Sequence, residues 1–283
     1  MIQQIAIIGA GTLGTRIALK AALNGFYVRV YDVQTSTFES SKFWMLKLLK
    51  HLGLPNELPS NLEFCGDLAQ AVQSADLVSE SVTEDLEIKR QVWANISDLA
   101  PLHAILTTNT SYLLPSQLVD VIAFPERFCA LHFHDVFYST VVDIMPHAST
   151  SKKIQEQLME FGRALDQSPV LIKKENTGYV FNFMLMALLG AAGKLKTKEI
   201  AEIEDIDRSW MVNFHMPMGP FGIIDSIGLD TAWHVTHTLP DAGSQAFAAL
   251  LKTYIDAGKL GQKSGEGFYT YPNPRYKHED FLI

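Results

Sequence analysis

The chemistry legible in this chain sits in a glycine run, an acid, a serine and a pair of histidines. Gly9-Ala10-Gly11-Thr12-Leu13-Gly14 is a GxGxxG run that follows a short apolar stretch and opens a helical pattern, and Asp32 closes the next β-rich stretch. Glycines at that spacing permit a tight turn, let a pyrophosphate approach the backbone, and bring the helix close against the strand. The helix dipole favours the phosphates. Asp32 would accept hydrogen bonds from the adenosine ribose hydroxyls and repel a 2′-phosphate, selecting NAD over NADP. The expected cofactor contacts here are Gly9, Gly11, Thr12, Leu13, Gly14 and Asp32.

Ser111 ends the run Thr107-Thr108-Asn109-Thr110-Ser111, and His132 lies in Ala130-Leu131-His132-Phe133. Both then fall at carboxyl ends of strands, where open α/β sheets bind ligands. Imidazole, with a pKa of about 6.5, accepts and returns a proton near neutral pH. Read alone, a histidine is more often structural and a serine more often caps a turn. Their joint position at strand ends favours a site. His132 and His134 also form an HxH pair facing one way on a strand, a spacing suited to a metal, but no third ligand is evident and the expectation is no metal.

These residues need a scaffold. Stretches 5–8, 27–31, 77–79, 104–106, 128–131 and 169–172 read as strands, and alternate with helical patterns. That alternation predicts an α/β fold, a Rossmann-type doubly wound and mostly parallel sheet. After Lys173-Lys174-Glu175 the character changes, with helices expected over 179–194, 203–214 and 245–257 and no comparable strand runs. The expected domains are 1–174, binding NAD, and 175–283, a smaller all-α domain for substrate and dimerisation. The helix around Phe181, Met184, Leu185, Leu188 and Leu189 carries more apolar residues than one face needs, which points to a homodimer.

The 283 residues suffice for two cores, and 47% hydrophobic with 19% charged residues is ordinary for a folded protein. A net charge of −8 argues against nucleic acid. Cys65 and Cys129 are too few for a disulfide framework. The opening stretch from Met1 to Ile8 has no basic n-region, and the longest apolar run is too short to span a bilayer. The expectation is a cytoplasmic protein without a membrane partner.

Three further segments narrow the reading. Pro217-Met218-Gly219-Pro220-Phe221, Asp225-Ser226-Ile227-Gly228-Leu229-Asp230 and Lys263-Ser264-Gly265-Glu266-Gly267-Phe268-Tyr269 follow in order. With the motifs above they make the chain resemble the 3-hydroxyacyl-CoA dehydrogenase family, from residue 4 to about residue 271. It is nearest the short members, such as 3-hydroxybutyryl-CoA dehydrogenase, diketoreductase, carnitine dehydrogenase and lambda-crystallin. The run Lys173-Lys174-Glu175-Asn176-Thr177-Gly178-Tyr179, where fatty-acid enzymes carry Thr-Pro-Gly-Phe, is the reason.

The resemblance implies that His132 takes the proton of a substrate hydroxyl as hydride leaves the adjacent carbon, and that Ser111 and Asn182 hold substrate oxygens. It implies that Glu84 and Lys89 line the nicotinamide ribose side, that Asn109, Ser111 and Asp135 face the cofactor, and that Lys263 reaches it from the C-terminal tail. The histidine's carboxylate partner is where this chain departs. The family has Glu twelve positions on, whereas Asp143 stands eleven after His132 and is shorter by a methylene. A one-residue slip flips every side chain of a strand. The deletion must therefore fall in the loop 136–139 if Asp143 is to meet the imidazole. Asp135-Val136 also replaces the family's Asn-Pro, and an ionised acid can only accept, for instance from the nicotinamide carboxamide.

For substrate, the resemblance implies a short 3-hydroxyacyl-CoA such as 3-hydroxybutyryl-CoA, in fatty-acid metabolism. Lys42, Lys47 and Lys50 are the only Lys or Arg residues between Asp32 and Asp67, which weakens CoA. The alternatives are a diketo ester, a carnitine- or gulonate-like hydroxy acid, or an NAD-binding protein with impaired catalysis.

Overall fold

The computed structural model of the chain describes residues 2–283. Met1, named above at the head of the first stretch, lies outside them. The chain divides into two compact units, the first running to Val180 and the second spanning Phe181–Ile283.

In the first unit the elements run β1 (Gln4–Ile8), α1 (Thr12–Leu23), β2 (Tyr27–Tyr31), α2 (Thr37–His51), β3 (Leu62–Cys65), α3 (Leu68–Val72), β4 (Leu77–Glu80), α4 (Leu86–Leu99), β5 (Ile105–Thr108), β6 (Phe128–Asp135), β7 (Ser139–Met145), α5 (Lys152–Ala164) and β8 (Ser168–Leu171). They form one eight-stranded sheet in the order β3-β2-β1-β4-β5-β6-β7-β8. Every neighbouring pair is parallel except the β6–β7 hairpin. The sheet grows one way from β1 through β2 and the other way through β4. Ligands of open α/β sheets bind outside the strand ends at such a switch.

β1 shows why the sheet is covered on both faces. Its alternate residues Ile5 and Ile7 join one core cluster, while Ala6 and Ile8 join another, all buried. A strand sandwiched between two helix layers reads as a continuous apolar run, and this one does. α1 is pressed onto the strand by Gly14, where a Cβ would stand 2.1 Å from the Gly9 carbonyl oxygen. Only glycine fits there.

The second unit is helical: α6 (Phe181–Thr197), α7 (Ile203–Phe214), α8 (Pro220–Ile227), α9 (Leu229–Thr236) and α10 (Ala242–Asp256). Two buried acids stitch it. Asp207 on α7 accepts from the Phe221 and Gly222 amides at the start of α8, at 2.8 and 2.9 Å, and from the Tyr269 hydroxyl. Asp225 on α8 accepts from the Phe268 and Tyr269 amides and the Tyr271 hydroxyl. Burial pushes the Asp207 carboxyl up to about 6, against the pull of its three donors. The motifs around Pro220 and Phe268 are thus the second unit's own packing.

Candidate active site

At the switch point the backbone of α1 is left open for an anion. The first N–H groups of a helix have no intrahelical partner. Here the N-cap is Gly11, no side chain caps it, and no acid stands in the first turn. A Cβ on Gly11 would meet nothing within 4 Å, so the approach to the Thr12, Leu13 and Gly14 amides is clear. Asp32 is fixed beside this loop, because its Oδ2 accepts from the Ala10 amide at 2.7 Å and its Oδ1 from the Gln34 amide at 2.8 Å. A carboxylate has about four acceptor positions, so two remain for a ribose diol. The residues fit a pyrophosphate and an unphosphorylated ribose. A cleft of about 660 Å³ adjoins the loop, lined among others by Arg16, Trp44, Lys47, His51 and Tyr138.

Beyond β4, the strand ends bring Ser111 and His132 together. Ser111 Oγ lies 3.2 Å from His132 Nε2. On the far side of the imidazole, His132 pairs directly across the hairpin with Asp143, the register shifting only between Phe133 and Asp135. Both side chains therefore share one face of the sheet. His132 Nδ1 is 3.5 Å from Asp143 Oδ2, a long contact. The same oxygen lies 2.8 Å from His134 Nε2. Asp143 is thus the third group that the sequence did not reveal beside the HxH pair, and the three donor atoms lie within 4.8 Å of one another. Their contacts are those of two imidazoles hydrogen-bonded to one carboxylate.

Burial holds His132 below its ordinary value, opposed by Asp143 and assisted by His134. For Asp143, burial pushes upward, but the bonds from His132 and His134 outweigh it and leave the acid below the usual carboxylate value. The pair is set as a neutral base beside a persistent anion.

Glu84 fixes the serine. Its Oε1 accepts from the Ser111 and Tyr112 amides, both at 2.9 Å, and from the Thr110 hydroxyl. Burial raises its pKa, but Lys89 and these donors lower it further, so the carboxylate stays ionised.

Three expected cofactor residues are otherwise engaged. Lys89 does not line a surface: its side chain is 1% exposed and its Nζ lies 2.7 Å from the buried Glu80, so it is a brace beneath Glu84. Asn109 spends its amide on the protein, donating to Ser81 Oγ at 3.2 Å and accepting from the Phe133 amide at 2.8 Å. Asp135 is mostly engaged within the protein, one acceptor position of Oδ2 remaining. Its Oδ2 pairs with Arg16, and its Oδ1 accepts from the Phe137 and Tyr138 amides, which makes the hairpin turn. A short acid followed by two free amides caps a turn as readily as Asn-Pro does.

Asn182 and Lys263 belong to the second unit. Asn182 stands in the first turn of α6, half-buried, and the Lys263 ammonium is gripped by both oxygens of Asp230 at 2.6 and 2.7 Å. Two residues that sequence reasoning did not place in the site also emerge. One is His134, seen there only as half of a metal-like pair. The other is Tyr179, whose ring stacks on His132 at 4.6 Å and 11°, with its hydroxyl donating to the Thr110 carbonyl at 2.7 Å. Tyr179 is 2% exposed, and burial first of all keeps its phenol protonated well above the ordinary value. No local signal marks it beyond the preceding Gly178, since the stacking is a tertiary contact.

A doubly wound sheet, an uncapped glycine-rich helix start answered by an acid on β2, and a serine–histidine pair at the strand ends define a dinucleotide-dependent oxidoreductase. The comparisons with known proteins agree. Residues 4–176 match the model of the 3-hydroxyacyl-CoA dehydrogenase NAD-binding domain, and residues 178–271 that of the family's C-terminal domain. The chain is 31% identical to the mitochondrial hydroxyacyl-coenzyme A dehydrogenase of Rattus norvegicus, over 96% of this chain and 92% of that protein. It is 30% identical to a probable 3-hydroxybutyryl-CoA dehydrogenase of Bacillus subtilis, over 95% of this chain and 98% of that one. Among solved structures, a diketoreductase described as acting on dicarbonyl compounds aligns with TM-score 0.90 and 37% identity, over 95% of this chain and 99% of that one. The chain belongs to the 3-hydroxyacyl-CoA dehydrogenase family, and is an NAD-dependent oxidoreductase of that family.

Proposed function

We propose that this enzyme interconverts a 3-hydroxy and a 3-keto carbonyl compound, with His132 as the general base. The observation that carries the reading is the 3.2 Å approach of His132 Nε2 to Ser111 Oγ beside the glycine loop. Bound NAD supplies the hydride acceptor. Ser111, its loop held by Glu84, would hold the substrate oxygen by its hydroxyl. His132 Nε2 then takes the alcohol proton, and the imidazolium that forms is stabilised by the Asp143 anion. In the reduction direction the same nitrogen returns the proton. Asn182 is proposed to hold a second substrate oxygen.

For substrate, the relatives named for 3-hydroxybutyryl-CoA support a short 3-hydroxyacyl-CoA. A second reading, a dicarbonyl compound without CoA, is favoured by the diketoreductase likeness and by α2 with the loop after it, where Lys42, Lys47 and Lys50 are the only Lys or Arg residues. We further propose a homodimer through the helical unit, supported by Phe183 and Met184 on α6, which are 59% and 58% exposed. A reducing, cytoplasmic setting is supported by two free, buried cysteines. Among the described residues no helix is long and apolar enough to cross a membrane.

The test is a panel with NADH comparing acetoacetyl-CoA, acetoacetate and a 3,5-diketo ester. Ranking by kcat/KM separates recognition of CoA from that of a small dicarbonyl. Turnover of none of them would contradict the reading.

A further inference from the structure

The shared oxygen of Asp143 carries one more inference, which rests on His132 being the base. A carboxylate serving one imidazole would close to a normal hydrogen bond of about 2.8 Å. Here that distance belongs to His134, and the partner of His132 stays at 3.5 Å on the same Oδ2. The two rings meet edge to face, 4.6 Å between centroids and 74° between planes. His134 sits at the register shift of the hairpin, beside Asp135, whose turn contacts hold it in place. The carboxylate is 1% exposed, so water does not compete for it.

We propose that His134 is a positioning residue that holds the Asp143 carboxylate back from His132, and so keeps the catalytic imidazole a weaker base than an unshared dyad would. The groups facing His132 are consistent with this balance. Asp143 from β7 and Glu84 from the segment before α4 raise its basicity, whereas burial and His134 on its own strand lower it. Tyr179, stacked from the segment after β8, stays neutral, and Ser111 after β5 brings only a hydroxyl. The consequence is a bias toward the deprotonated base, which serves alcohol oxidation near neutral pH.

Two variants and one titration decide it. His134→Phe keeps a ring of similar volume and removes the donor, freeing the carboxylate to close on His132. His134→Gln keeps an N–H donor near the place of Nε2. The His132 pKa is read by NMR titration of isotope-labelled, full-length protein in chelator-treated buffer, with His132→Gln identifying the resonance. In His134→Phe it should rise by about one unit, the lower end of what an adjacent opposite charge supplies. In His134→Gln it should stay near the parent value. His134→Met, a second variant without a donor, should match His134→Phe and covers a failure of that variant to fold. The acid limb of kcat/KM for the best panel substrate should move by the same amount. A His132 pKa unmoved or lowered in both donor-free variants, or raised equally in His134→Gln, overturns the proposal. Because the titration needs no substrate, a panel without turnover would defeat the functional reading and leave this inference separately decided.

Discussion

Replacing Lys89 by Met tests the architecture beneath the site most sharply. The Lys89 and Glu80 side chains are 1% and 0% exposed and stand 2.7 Å apart. Removing the cation strands a buried carboxylate, which costs about 3–5 kcal/mol. Glu80 would keep the Val82 amide at 2.8 Å, the Thr108 hydroxyl at 2.7 Å and the Trp93 indole at 3.2 Å, so the low end applies. At about 3 kcal/mol the melting temperature of the NAD-binding unit falls by roughly 6 to 12 °C. Scanning calorimetry of the full chain measures it. Glu80→Gln combined with Lys89→Met removes both charges and should lose much less than the two single losses summed, a coupling that only a direct pair gives. Were Lys89 instead a surface ligand of the cofactor, Lys89→Met would weaken NADH binding at an unchanged melting temperature. A single variant within about 1 kcal/mol of the parent would refute the brace.

The remaining predictions concern the ring stack, the pH profile and the second unit. Tyr179→Leu should lower kcat by about tenfold, with NADH affinity intact, because it frees the imidazole plane, whereas Tyr179→Phe keeps the stack and should lose less than half as much; steady-state kinetics with NADH binding by fluorescence checks both. Since burial lowers the His132 pKa, the acid limb of kcat/KM for oxidation should lie below the ordinary imidazole value of 6.5, and a limb above it would contradict the assignment. Asp207 has a folded pKa raised to about 6, so its contribution to stability is fully present below the unfolded carboxyl value and is lost as pH rises through 6. That loss is about 2 kcal/mol between pH 4 and 7. Urea denaturation should show Asp207→Asn less stable at low pH, yet without this part of the slope.

The glycine loop and Asp32 were legible in the chain because every requirement is local: a strand, a turn only glycine can make, a helix start, and an acid one element later. The strand ends holding Ser111 and His132 were legible for the same reason. β3 was not, since an edge strand buries little, and Leu62–Cys65 is buried only at its last residue. α8 and α9 were missed because each spans only 8 residues, too short for a helical period to stand out, and the start of α8 is held by a tertiary partner, Asp207. Family pattern placed Lys89, Asn109 and Asp135 at the cofactor surface. The folded chain uses all three as internal bonds, because burial and competing partners are invisible in spacing. Tyr179 and the second contact of Asp143 lay beyond sequence reasoning for the opposite cause: residues far apart meet only once the hairpin and the segment after β8 are in place.

The most direct measurement is made on His132→Gln with the best substrate of the panel. Gln fills much of the same space and can donate or accept a hydrogen bond, but it cannot take up a proton near neutral pH. Turnover should fall by at least about a hundredfold, the lower end for loss of a general base, while the Kd for NADH stays within a factor of two or three of the parent. Turnover close to that of the parent, with NADH bound normally, would contradict the account.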